Sequence, residues 1–465
     1  MRELTIRELQ KAANARLITP GEAERVLERT VSHVTQDSRE VRQGSLFVPM
    51  KGEKRDGHDF IAQCFAQGAA ACLSEKEIIP PENGALLLVE NTKKALLDLA
   101  EYHRNQFRIP VIGITGSVGK TTTKDMAASV LSQKYQTLWT QGNYNNDIGV
   151  PLTLLRLEEN HQAAVIEMGM NHFGEIALLS GIVRPDIGVI SNVGVAHIEN
   201  LGSREGILRA KCELFDGMAE DGTAILNADN DMLRTLEGKL TQKIVWFGLE
   251  NMDGRKPDIY ADEICRKGLE QTACVIHTPK GQIAVTVPMP GEHMVLNALS
   301  AAAVGLELGL TLEEIRAGIE CFTPTKNRMN VIYGENGITI LNDVYNANPV
   351  SMKASLDILS AAKGRKAAVL GFMGELGEFA PAMHQEVGEY AAKCGVDLLF
   401  CIGRYTDEMA AGAKMSGCEK VFHFAEQAEF LEKGLPLLQK GDTVLVKASR
   451  SMELEKTVEK IQGVN

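Results

Sequence analysis

The run Gly113-Ile114-Thr115-Gly116-Ser117-Val118-Gly119-Lys120-Thr121 carries residue types suited to holding a nucleotide. Backbone N–H groups of a glycine-rich turn, opening into a helix, converge on phosphate oxygens. Lys120 would neutralise the outer phosphates, and the hydroxyl of Thr121 would offer magnesium an oxygen. Five residues separate Gly113 from Gly119, one more than in G-x-x-x-x-G-K-[ST]. A glycine-rich surface turn would explain the glycines, but not a strand, a G-K-T and a helix in that order.

Magnesium takes several oxygen ligands, so one hydroxyl is insufficient and a carboxylate is expected at a neighbouring strand end. Glu167 ends the apolar run Ala163-Ala164-Val165-Ile166 and is placed for it. His197 follows the next apolar run and could be a second metal ligand, although a lone histidine is more often structural. Lys211, in Arg209-Ala210-Lys211-Cys212-Glu213, reads by charge pattern as a solvated helix residue, and its spacing gives it no role.

These residues need a scaffold. Short apolar runs at Val111 to Thr115, Ala163 to Met168, Ile187 to Ser191 and Ala224 to Asn227 alternate with helix-length stretches. That alternation predicts a parallel sheet covered on both faces, with ligands at the carboxyl ends of the strands. Period-two segments at 273–277 and 283–287, separated by Pro279-Lys280-Gly281, predict an antiparallel appendage. A helix is expected over Met294 to Leu308, carrying Asn297. With 465 residues, the chain suits about three domains. The expected division is 1–108, a small α/β unit; 109–322, the central phosphate-loop domain; and 323–465, a third, Rossmann-like α/β domain.

A formal charge of -12 excludes a general binder of nucleic acid or anionic membrane. The N-terminus places charges where a signal peptide needs an apolar core, and no run is long enough to span a bilayer, so a cytoplasmic protein is expected. The nine scattered cysteines contain no C-x-x-C pair and read as reduced thiols.

The loop from Thr115 to Thr123, Glu167-Met168-Gly169, Ala196-His197-x-Glu199 and Ala210-Lys211-x-Glu213 together resemble, in order and spacing, the Mur ligases of bacterial cell-wall synthesis. Segments 143–153, 342–349 and 447–453 resemble the member of that family that handles D-Ala-D-Ala. The resemblance implies an ATP-dependent ligase joining D-Ala-D-Ala to a UDP-N-acetylmuramoyl-tripeptide through an acyl phosphate. It implies ATP bound by Thr115, Gly116, Ser117, Val118, Gly119, Lys120, Thr121, Asn297, Arg328 and Asp343. Thr121, Glu167, His197 and a carbamylated Lys211 would hold two Mg2+, with Lys120, Glu167, His197 and Lys211 as the catalytic set.

The resemblance further implies substrate contacts at Asp37, Ser38, Arg39, Asp56 and His58, and at Asn145, Asn146, Tyr345, Asn346 and Asn348. It implies a monomer with no nucleic-acid or membrane partner. The chain departs from the family pattern at Gly371-Phe372-Met373-Gly374-Glu375-Leu376-Gly377, at Asn342-Asp343 and at Ala448. Competing readings are another amide ligase of the same type, adding a single amino acid or polyglutamylating folate, and a nucleotide-gated binding protein.

Overall fold

The computed structural model describes residues 1–52 and 54–463, and the sheets below are counted among these. Three of them organise the chain. The first, of five strands, runs in the order Arg16–Ile18, Ala85–Leu88, Ala71–Ser74, Ser45–Phe47, His33–Thr35. The helix Thr92–Arg104, capped by the Asn91 side chain, follows it. From this helix Arg104 Nε donates to the Val183 carbonyl and His103 Nε2 lies 3.0 Å from the Leu157 carbonyl, anchoring the first unit to the central one.

The central sheet has nine strands. Its parallel part runs Thr137–Trp139, Ala163–Glu167, Val111–Thr115, Ile187–Ile190, Thr223–Asn227, Lys243–Gly248. The expected antiparallel segments do not stand apart. Ile259–Lys267 pairs parallel to Lys243–Gly248, and Gln271–Thr278 and Gly281–Val287 follow as a meander, so the appendage continues the sheet. Strand Val111–Thr115 lies between Ala163–Glu167 and Ile187–Ile190, so the chain leaves it on one side and returns on the other. Such a reversal opens a crevice at the strands' carboxyl ends, where the phosphate loop begins. The helices Lys120–Leu131 and Glu292–Glu307 pack together over this sheet.

The third sheet runs Asn330–Tyr333, Thr339–Asn342, Thr443–Lys447, Lys366–Gly371, Leu398–Ile402, Val421–Phe424, and only its first pair is antiparallel. The strand latest in sequence, Thr443–Lys447, sits inside it. That insertion puts Lys447 beside Asp343 at the carboxyl ends of adjoining strands. One apolar cluster runs from Ile112 and Val130 under the central sheet to Met352 and Leu370 of the third domain.

Candidate functional site

Strand Val111–Thr115 is buried throughout, as expected of a strand covered on both faces. Gly113 belongs to it and not to the loop. A Cβ there would lie 2.7 Å from Met168 Cε and 2.9 Å from Leu214 Cδ1, so glycine serves close packing beneath the site. The irregular spacing is thereby explained: the phosphate loop proper is Gly116 to Gly119. Gly116 has φ +153 and its Cβ would meet Ser191 Oγ at 2.0 Å, while Gly119 has φ +82 and begins the helix Lys120–Leu131. Asn192 fastens the loop, its Oδ1 accepting the Val118 N–H.

Lys120 Nζ donates to the Gly116 carbonyl at 2.8 Å. Burial pushes the Lys120 ammonium below its ordinary value, and Glu167 opposes that pull. Glu167 ends its strand 1 % exposed. Its Oε1 accepts from Asn145 Nδ2 at 2.8 Å and its backbone N–H donates to Thr140 Oγ1 at 3.0 Å. Its Oε2 is buried and has no hydrogen-bond partner among the described residues. An orphaned buried carboxylate oxygen facing a phosphate loop fits a cation.

His197 adopts φ +64 and starts the short helix Ile198–Leu201. Its Nδ1 lies 2.7 Å from Glu375 Oε2 of the third domain, without hydrogen-bond alignment. His197 holds the Glu375 carboxyl below its ordinary value against the opposing effect of burial. Lys211 is not the solvated residue its charge pattern suggested. It is 1 % exposed on helix Arg204–Cys212, and burial, with repulsion from Lys120, drives its ammonium well below the ordinary value. Burial of this kind shifts the balance toward the neutral amine.

The third domain closes the site. Arg328 Nη2 donates to Thr121 Oγ1 at 3.0 Å, its guanidinium lies 3.9 Å from the Tyr345 ring centroid, and its Nε is buried without a partner. Asp343 pairs with Lys447 and accepts from Ser355 Oγ at 2.7 Å. Lys447, 2 % exposed, also donates to the Asn346 carbonyl. Asn297 Oδ1 accepts from Thr123 Oγ1 at 3.1 Å beside Gly119.

A cleft of about 300 Å³ joins most of these groups, but Lys211 and Glu375 are not among its lining residues. Its walls include Ser117 to Thr121, Asn145, Asn146, Glu167, His197 and Asn297 from the central domain, and Arg328, Asp343, Tyr345, Asn346, Asn348 and Lys447 from the third. Asn146 and Asn348 also serve local structure: Asn146 Oδ1 accepts the Gly149 N–H, and Asn348 caps helix Pro349–Ser360. No cluster of three or more His, Cys, Asp or Glu side chains poised on a metal occurs among the described residues.

The first-domain residues do not line this cleft. Asp37 is paired with Arg39, which holds its carboxyl at about 2, while the Arg39 side chain is exposed. Asp56 binds the backbone N–H of His58 and the Lys76 ammonium. His58, expected to touch substrate, is 3 % exposed; Nδ1 lies 2.6 Å from Asp56 and Nε2 accepts the Glu75 N–H. With both ring nitrogens engaged, the imidazole is held within the turn. Conversely, sequence reasoning missed Glu375, Ser355 and Lys447 as site residues. Lys447 stood inside segment 447–453 and Glu375 inside the divergent segment Gly371 to Gly377, but the partner of each lies far off in sequence and left no local signal.

Three family models match the chain: "Mur ligase family, catalytic domain" over residues 30–104, "Mur ligase middle domain" over 114–305, and "Mur ligase, glutamate ligase domain" over 327–450. The UDP-N-acetylmuramoyl-tripeptide--D-alanyl-D-alanine ligase of Bacillus subtilis (strain 168) is 40% identical over 440 residues, covering 93% of each chain. A crystal structure of MurF from Acinetobacter baumannii superposes with a TM-score of 0.89 at 35% identity, covering 100% of this chain and 99% of that one. MurF ligase from Thermotoga maritima in complex with ADP superposes with a TM-score of 0.81 at 29% identity, covering 93% of this chain and 97% of that one.

Proposed function

The chain belongs to the Mur ligase family, and from that premise we infer that it is an ATP-dependent ligase joining D-Ala-D-Ala to the terminal carboxylate of UDP-N-acetylmuramoyl-tripeptide. This is a step of peptidoglycan precursor synthesis. The domain limits at 108/109 and 322/323 belong to the same proposal, the first unit taking the uridine nucleotide.

A carboxylate is a poor acyl donor because oxide is a poor leaving group. Transfer of the γ-phosphoryl group of ATP to the substrate carboxylate makes an acyl phosphate and releases ADP. The dipeptide amine then attacks the acyl carbon, the carbon–oxygen bond to phosphate breaks, phosphate leaves, and the amine loses a proton. The Ser117 and Val118 N–H groups are held by Asn192, so the N–H groups opening helix Lys120–Leu131 bind phosphate oxygens, and Lys120 adds a positive charge. Asn297 takes the adenine side; Arg328 and Asp343 contribute phosphate and ribose contacts from the third domain, excluding water.

Thr121, Glu167 and His197, with a carbamate on Lys211, would hold two magnesium ions, which supply neutralisation of phosphate charge. The neutral amine, toward which burial shifts Lys211, is the form that adds to carbon dioxide. The unpartnered Glu167 Oε2 in a cleft closed by Arg328 is the observation that carries this reading. Action as a monomer belongs to the same proposal. No helix is long and apolar enough to cross a membrane among the described residues, which supports the cytoplasm as its place.

The test is ADP release from the purified protein with a panel of UDP-peptides and acceptors. Release that requires both the tripeptide nucleotide and D-Ala-D-Ala is expected. Release with single amino acids or with folate and glutamate, or release indifferent to any amine, would overturn it.

A further inference from the structure

Lys124 is one turn beyond the phosphate loop, on helix Lys120–Leu131, and is only 1 % exposed. It is not part of the cleft wall. Burying an ammonium costs several kcal/mol unless it is paired and hydrogen-bonded, so its partners indicate its task. Its Nζ donates to the Thr140 carbonyl at 2.6 Å and lies 2.6 Å from Asp125 Oδ1. Asp125 is itself held from the other side, where Oδ2 accepts from Thr325 Oγ1 at 2.5 Å in the segment leading to the third domain.

Thr140, 0 % exposed, is the next member of the chain. Its N–H donates to the Val165 carbonyl and its Oγ1 accepts the N–H of Glu167 at 3.0 Å. The backbone of Glu167 is thus fixed by Thr140, and its Oε1 by Asn145. These two restraints leave Oε2 a single direction into the cleft.

We propose that Lys124 and Thr140 are positioning residues that aim the Glu167 carboxylate at the cation. The chain Asp125, Lys124, Thr140, Glu167 runs from the nucleotide-binding helix to the neighbouring strand end, so helix and carboxylate keep one relative position. Outer partners of this kind set ligand orientation without touching the metal. The inference rests on the reading of Glu167 as a magnesium ligand.

Calorimetric titration of the full-length protein with ADP, in Mg2+ and in EDTA, tests it. The readout is the gain in ADP affinity that Mg2+ confers. Thr140→Val removes the hydroxyl at nearly constant volume, Thr140→Ser keeps it, and Lys124→Met removes the ammonium. Thr140→Val and Lys124→Met are expected to lose about tenfold or more of the gain, with affinity in EDTA little changed and Thr140→Ser like the parent. A gain kept in Thr140→Val, or lost equally in Thr140→Ser, overturns the inference. If Lys124→Met fails to fold, the two Thr140 variants decide alone. Glu167→Gln separates the premises: if it keeps the whole gain, the metal-ligand reading fails; if only Thr140→Val keeps it, the positioning role fails.

Discussion

Glu375 of the third domain stands 2.7 Å from His197 Nδ1 of the central domain, so a carboxylate and an imidazole meet across the cleft wall. Two neighbouring contacts accompany them, Gly377 against Glu199 and Arg328 on Thr121. The closed arrangement is thus held by three points around the phosphate loop.

Glu375→Gln is expected to loosen this arrangement slightly. The Glu375 side chain is half exposed, so the pair contributes under about 1 kcal/mol. Because His197 depresses the Glu375 value, the contribution is present above the ordinary carboxylate range and is lost as pH falls through the lowered value. Small-angle scattering between neutral and acid pH would show expansion in the parent and a weaker acid dependence in the variant.

The two glycines should separate stability from binding. Gly113→Ala drives a methyl into Met168 and Leu214 and should cost about 1–3 kcal/mol in denaturant unfolding, with ADP still bound. Gly116→Ala meets Ser191 Oγ at 2.0 Å with φ +153, inside the loop, and should abolish ADP binding measured by calorimetry.

Arg328→Lys should not substitute for arginine. The guanidinium both donates to Thr121 and stacks on Tyr345, and an ammonium cannot do both. The expected outcome is a rise of about tenfold or more in KM for ATP, equivalent to about 1.4 kcal/mol, read from steady-state ADP release.

His103 predicts an acid-sensitive junction between the first two domains. Burial lowers it from 6.5 to about 4, while Nε2 contacts the Leu157 carbonyl. Between these values the unfolded chain binds the extra proton, so stability rises with pH across that window and is lost on acidification. The loss is at most about 3 kcal/mol. Urea unfolding at pH 7 and 4.5 should show a smaller difference in His103→Gln than in the parent.

The central architecture was legible because Val111 to Thr115 and Ala163 to Glu167 are uninterrupted apolar runs ending at a glycine turn and an acid. Strands Thr137–Trp139 and Lys243–Gly248 were not, since the first is only three residues long and the second begins on exposed Lys243. Val421–Phe424, an edge strand with exposed His423, was hidden for a related reason. Among site residues, Lys120 and Glu167 were readable from local context, whereas Asn297 entered only through the family resemblance. Burial of Lys211 was not, because flanking Arg209 and Glu213 give its helix the charge pattern of a surface. Nor was the engagement of both His58 ring nitrogens, which depends on Glu75 from a separate strand end.

Strand Thr443–Lys447 is inserted between Thr339–Asn342 and Lys366–Gly371, neighbours formed some seventy and more residues earlier. During synthesis those earlier strands must wait with open edges until residue 447 has left the ribosome. Lys447 reaches Asp343 only at that moment. An incomplete chain can therefore assemble the phosphate loop but not the Asp343 contact, which withholds a finished site from any unfinished translation product.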